Sequence, residues 1–178
     1  MATLGRLMSP VLPQTIEPLR LARAGKKLSG QIPLSVMRRL TELLHDDHGP
    51  VSFSLDFARD DAEKAWCITG AIETVLHTQC QRCLGRLNLQ LNNRISLGIV
   101  TSRAEADALP DKYEPLILDE DETVVLASLI EDELLLAIPI SPMHATDECD
   151  ETPILDAMKE ETGNKPFADL KKMTQKMR

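Results

Sequence analysis

The sequence predicts an α+β fold: an antiparallel meander or small open barrel over about residues 51–100, packed with one long buried helix and one amphipathic N-terminal helix. Three observations carry that expectation. Apolar residues alternate with polar ones through most of 51–100, which is the signature of half-buried strands. Leu34, Met37, Leu40 and Leu44 recur at helical spacing, with Val36 and Leu43 widening the stripe. Val124 to Ala137 is apolar around most of a helical circumference, so that helix belongs inside rather than on the surface.

Residues 1–31 contain Pro10, Pro13 and Pro18 and read as an extended arm rather than a helix start. Leu19, Leu21 and Leu28 would lay part of that arm on the body, leaving Arg20, Arg23, Lys26 and Lys27 outward. Pro33 suits the first turn of a helix, where a missing N–H costs nothing, and His48-Gly49-Pro50 ends it. His45 and His48 near that end read as partners of the helix dipole. Val51, Phe53, Leu55 and Phe57 form the first strand of the meander, and Arg59-Asp60-Asp61 its turn. Trp66, Ile68 and Ile72 continue the period to about Gln79, with Gly70 marking a bulge or a close backbone approach. Cys67 falls on the face opposite Trp66 and reads as a small buried or half-buried thiol. Leu87, Leu89, Leu91, Ile95, Leu97 and Ile99 complete the alternation. A polar turn over 102–111 and a short extended piece, Leu116-Ile117-Leu118, lead to Asp119-Glu120-Asp121-Glu122, whose acids suit a helix N-terminus. Pro139 and Pro142 stop the long helix. The expected organisation is a single domain over 1–162, with an acidic mobile segment at 147–162, and a basic C-terminal tail at 163–178.

At 178 residues and 43% hydrophobic composition the chain can bury a core, and with 3% aromatics Leu, Ile, Val and Met must fill it. A net charge of −8 argues against a general nucleic-acid coat but leaves room for a local basic face, and no DNA partner is expected. That charge is unevenly spread. Residues 1–104 carry 13 Lys/Arg against 9 Asp/Glu, residues 105–161 carry 2 against 18, and residues 162–178 carry 5 against 1. Such polarity is either solvated surface or a division of labour, basic ends toward RNA and an acidic middle toward a basic protein. No apolar segment has the length of a signal peptide core or a membrane span, so the expectation is a cytoplasmic protein with reduced thiols.

Four cysteines in that setting are metal ligands or buried thiols before they are disulfides. Cys80-Gln81-Arg82-Cys83 is a Cys-x-x-Cys hook between two strands, and His144 and Cys149 follow the helix-stopping prolines. Soft sulfur and imidazole suit zinc in tetrahedral sites, so Cys80, Cys83, His144 and Cys149 form a candidate structural zinc site. A redox dithiol and a pair of ordinary thiols stand beside that reading, although the strand-to-helix context of a thioredoxin motif is missing. Asp119–Glu122 lacks the glycine and the distal glutamate of a calcium loop. No phosphate-binding glycine loop, paired-histidine metalloprotease helix or nucleophile elbow is present.

The hook and several further stretches together carry a resemblance. Ala108-Leu109-Pro110-Asp111-Lys112-Tyr113-Glu114-Pro115, Glu131-Asp132-Glu133-Leu134-Leu135-Leu136-Ala137-Ile138-Pro139, Pro142-Met143-His144 with Cys149, and Pro166-Phe167-Ala168-Asp169-Leu170 follow in an order and spacing similar to the YceD family of bacterial and plastid proteins. Lys165 stands between Asn164 and Pro166, where the family has Asn-Pro-Phe. The resemblance implies a ribosome-biogenesis factor promoting synthesis, processing or stability of large-subunit (23S) ribosomal RNA. It implies no reaction and no catalytic residue. The partner expected is that RNA or a pre-ribosomal particle, met directly or through a basic ribosomal protein, without membrane contact. Direct contact would use Arg82, Arg86 and Arg94 near the hook and Lys171, Lys172 and Lys176 in the tail. The alternatives are an RNA-processing enzyme using Asp119–Glu122 with a divalent metal, and an acidic adaptor for a basic ribosomal protein.

Overall fold

Val51, Phe53, Leu55 and Phe57 all point inward and are buried, and Ile68, Ile72 and Leu76 continue the same face on the next strand. In the computed structural model, which describes residues 12–145 and 148–149, this alternation builds β3 (Pro50–Asp60), β4 (Ala65–Gln79) and β5 (Arg86–Val100). Antiparallel register pairs Phe53 with Ile72 and Phe57 with Ile68, then Ile68 with Leu97 and Leu76 with Leu89. Side chains of like polarity therefore stack in rows, apolar within and polar without. Gly70 is no bulge, because its register with Leu55 and Ile95 is unbroken. It is a close approach: an added Cβ would sit on Ser54 O and 3.1 Å from Leu55 Cα.

Two flanking strands, β2 (Lys27–Pro33) and β6 (Glu114–Ile117), widen the sheet to the order β2-β3-β4-β5-β6, open at both edges. β2 lies antiparallel to β3, and β6 runs parallel to β5, with Val100 opposite Ile117. A parallel neighbour requires a crossover. Here it is the segment holding α3 (Arg103–Asp107), which Ser102 caps by accepting from Glu105 N. The same segment lays Leu109 over Gly98 and Tyr113 near the outer face. The Tyr113 hydroxyl donates to Asp60 Oδ2 at 2.7 Å, and Lys112 Nζ joins it at 2.8 Å.

The arm expected over 1–31 is instead part of the body from Thr15 onward. β1 (Thr15–Ile16) pairs with β7 (Val124–Val125), and α1 (Pro18–Arg23) buries Leu19 and Ala22 before β2 begins. Pro18 opens α1 at the first helical position, the one place where proline favours a helix. The amphipathic helix expected after Pro33 is also corrected. A 3₁₀ turn (Leu34–Val36) and the four-residue α2 (Arg38–Thr41) replace it, broken at Met37 with ψ 79°. Leu34, Met37 and Leu40 are all buried at a spacing of three, which suits a 3₁₀ turn as well as the edge of an α-helical stripe. Val36 and Leu43 are exposed rather than part of the stripe, and His45 and His48 lie beyond the end of α2.

α4 (Leu126–Ala137) is the long helix, and Leu126, Leu129, Ile130 and Leu134 enter the core with the inner sheet face. Leu136 is exposed. The acids Asp119–Glu122 do not cap α4, because β7 intervenes; they close their own turn, with Glu122 Oε2 accepting from Asp119 N at 2.9 Å. The buried carboxylate of Glu131 accepts from Leu40 N and from Arg39, tying α2 to α4. No described helix is long and apolar enough to cross a membrane.

Candidate metal centre

Cys80 leaves β4 and Cys83 stands three positions later in the connection to β5. That connection is a tight loop: Cys80 N donates to Gly85 O and Leu84 N to Cys80 O, both at 2.9 Å, with Leu84 at φ 58°. It turns backbone N–H groups onto sulfur. Arg82 N lies 3.5 Å from Cys80 Sγ, and His144 N approaches the same sulfur at 3.5 Å. Burial pushes the Cys80 thiol up, but the N–H groups of Cys83, His144 and Arg82 outweigh it and lower its pKa to about 5. Gly85 N–H favours the Cys83 thiolate. Burial and the neighbouring sulfurs of Cys149 and Cys80 nevertheless raise that thiol overall.

The other half arrives from α4. After Pro139 the chain returns to the hook, where Gln81 N donates to Pro142 O at 2.9 Å. His144 Nδ1 then stands 3.4 Å from Cys83 Sγ, and Cys149 Sγ stands 3.8 Å from Cys80 Sγ. One donor atom from each of the four residues lies within 4.8 Å of the other three. Metal–ligand bonds of about 2.0–2.3 Å at tetrahedral angles place ligand atoms about 3.3–3.8 Å apart, so the pairs above fit such a centre. The histidine tautomer fits as well. His144 Nε2 is 2.8 Å from Arg86 O, a carbonyl that can only accept, so Nε2 carries the proton and Nδ1 presents its lone pair to the sulfurs. Cys67 is elsewhere, its Sγ 3.6 Å from Ala58 O.

The cations expected to meet RNA are divided. Arg82 Nη2 donates to His144 O and Ala145 O at 3.3 and 3.2 Å, inside the centre's frame. Arg86 is exposed beside the hook and pairs with Asp46 Oδ2 at 3.2 Å. Arg94 lies on the same outward face of β5, eight residues on and so about 26 Å along an extended strand. The three do not form one patch. Lys171, Lys172 and Lys176 lie outside the described residues, as does most of the acidic 147–162 segment. Sequence reasoning missed the Asp46 group. Its carboxylate also faces His77 Nδ1 at 3.0 Å, and that bond is the main cause of its lowered pKa. No motif links residues so far apart in the chain.

The family model described as large ribosomal RNA subunit accumulation protein YceD matches residues 68–174. The chain belongs to the YceD family. A curated relative, the large ribosomal RNA subunit accumulation protein YceD of Haemophilus influenzae, is 29% identical over 170 residues, 93% of this chain and 97% of its own. No solved structure matches. The YceD match spans the hook, the crossover, α4 and the return segment, so the candidate metal centre lies within the family domain.

Proposed function

We propose that this YceD protein is a cytoplasmic ribosome-biogenesis factor that promotes accumulation of large-subunit ribosomal RNA without itself catalysing a reaction. Family membership carries the reading. Deleting the gene is expected to lower large-subunit RNA relative to small-subunit RNA. An unchanged ratio in rapid growth and in the cold would overturn the proposal. Labelled precursor RNA incubated with the protein and magnesium should remain intact; turnover abolished by substituting Asp119–Glu122 would favour the enzymatic alternative instead.

The candidate centre takes zinc in this reading. Cys80, Cys83, His144 and Cys149 would hold it, and four protein ligands leave no open position, so the ion supplies a cross-link and not a Lewis acid. Elemental analysis of protein purified without chelator should find about one equivalent; less than a tenth would leave the hook as thiols. RNA contact, where it is direct, falls to Arg86, Arg94, Lys171, Lys172 and Lys176. Neutralising any one of these cations should flatten the salt dependence of RNA binding by about one unit of slope. Crosslinking in cells followed by identification of bound RNA and protein separates direct contact from an adaptor role.

A further inference from the structure

We infer that Arg82 is a positioning residue of the metal centre, clasping the returning segment so that His144 and Cys149 meet the hook before any ion arrives. The inference rests on the metal reading above and deepens it.

Among the described residues, the return path is lightly held before Pro142. Between the end of α4 and the centre the chain reads Ile138-Pro139-Ile140-Ser141-Pro142, and Pro139, Ile140 and Ser141 are exposed or half-buried. Neither proline can donate a backbone hydrogen bond. Anchoring begins at Pro142, whose carbonyl accepts from Gln81 N, and continues at His144 O and Ala145 O, both held by Arg82 Nη2. His144 Nε2 adds a bond to Arg86 O. None of these four contacts uses a ligand atom, since the metal would take Nδ1 and three sulfurs. They are therefore compatible with the centre both before and after an ion binds.

Charge favours the same role. Zinc with three thiolates and a neutral imidazole carries a net charge of −1, and the half-buried guanidinium sits in the loop that supplies two of those sulfurs. Arginine suits the position because one planar, permanently charged group reaches two carbonyls. Lysine offers a point charge on a flexible stem and would hold them less firmly. The identity of the third residue within Cys-x-x-Cys thus serves the centre, and Arg82 is withdrawn from phosphate contact.

The test compares wild type with Arg82→Met and Arg82→Lys. Cobalt is titrated into chelator-stripped protein, read by its tetrahedral d–d bands and thiolate charge-transfer absorption, followed by zinc competition. Loss of a partner that orients metal ligands costs about 10–100-fold in affinity. That loss is expected for Arg82→Met, with Arg82→Lys between it and wild type. Amide exchange at Gln81 in stripped protein reads the clasp without metal: protected in wild type, fast in Arg82→Met. Circular dichroism verifies the sheet, and the lysine variant stands in if the methionine variant fails to fold. Wild type that binds normally, with both variants within twofold and Gln81 still protected, would overturn this inference alone. Wild type that takes up neither cobalt nor zinc would overturn the metal reading and this inference with it.

Discussion

Glu131 gives the sharpest quantitative expectation. Its side chain is 7% exposed and accepts three hydrogen bonds, from Leu40 N at 3.0 Å, Arg39 Nε at 3.1 Å and Arg39 Nη2 at 2.8 Å. Replacing it with alanine strands these donors unequally. The Arg39 side chain is 53% exposed and keeps Asp132 at 2.6 Å, so water replaces the missing carboxylate and that part adds little. Leu40 is fully buried; its N–H is left without a partner, at about 1–3 kcal/mol. Removal of the methylene stem adds about 1 kcal/mol. Glu131→Ala should therefore destabilise by about 3 kcal/mol, a fall of about 6–12 °C in Tm for a domain of this size. Glu131→Gln retains an acceptor for Leu40 N and should cost only about 1 kcal/mol. Urea denaturation at pH 7 measures both. Equal, small losses in the two variants would refute the argument that the buried N–H, and not the ion pair, carries most of the effect.

Three further expectations follow from the same geometry. Gly70→Ala would place a methyl group against Ser54 O and 3.0 Å from Ser54 C in a central strand, so the strands must part and the loss should reach about 3 kcal/mol in the same assay. Glu133 has its pKa raised by burial first, then by the charges of Glu114 and Asp132. The folded state then holds the proton more tightly than the unfolded one, and stability falls as pH rises above the ordinary glutamate value of 4.5. Glu133→Gln should accordingly be more stable than wild type at pH 7, with the advantage vanishing below pH 4.5; a variant less stable at pH 7 would contradict it. Cys67→Ala should cost about 1 kcal/mol and leave metal content unchanged, whereas Cys80→Ala should reduce metal content, both read by elemental analysis beside thermal melts.

The parts of the fold that were legible in sequence are those set by local pattern. Phe53, Leu55 and Phe57 alternate because one face of β3 is buried, and Val124 to Ala137 is apolar around most of a helical circumference because α4 leaves only Asp132 and Leu136 exposed. Pairings between distant segments leave no such trace. Nothing near Thr15 announces Val125, and nothing near Val100 announces Ile117 as a parallel neighbour. Leu34, Met37 and Leu40 misled because a spacing of three fits both a loose helical stripe and the 3₁₀ path adopted. Cysteine and histidine are scarce enough that the candidate ligands stood out. Arg82 did not, because a guanidinium between two cysteines suits a phosphate as well as a pair of carbonyls, and only the return of His144 distinguishes them.

The separation between the two halves of the candidate metal centre has a kinetic consequence. Strands β2 to β5 join neighbours along the chain and can form as soon as Val100 is available. Cys83 and His144 are 61 residues apart, and Cys80 and Cys149 are 69. The hook thus emerges during synthesis before His144 and Cys149, and its ligand set is complete only once the chain beyond α4 has been made. A bond system that forms after the main barrier contributes little to the speed of folding. It acts on the reverse process, holding the tip of the β4–β5 hairpin to the end of α4 and slowing the first step of unfolding. An ion seated there would lengthen the lifetime of the folded molecule far more than it would hasten its birth.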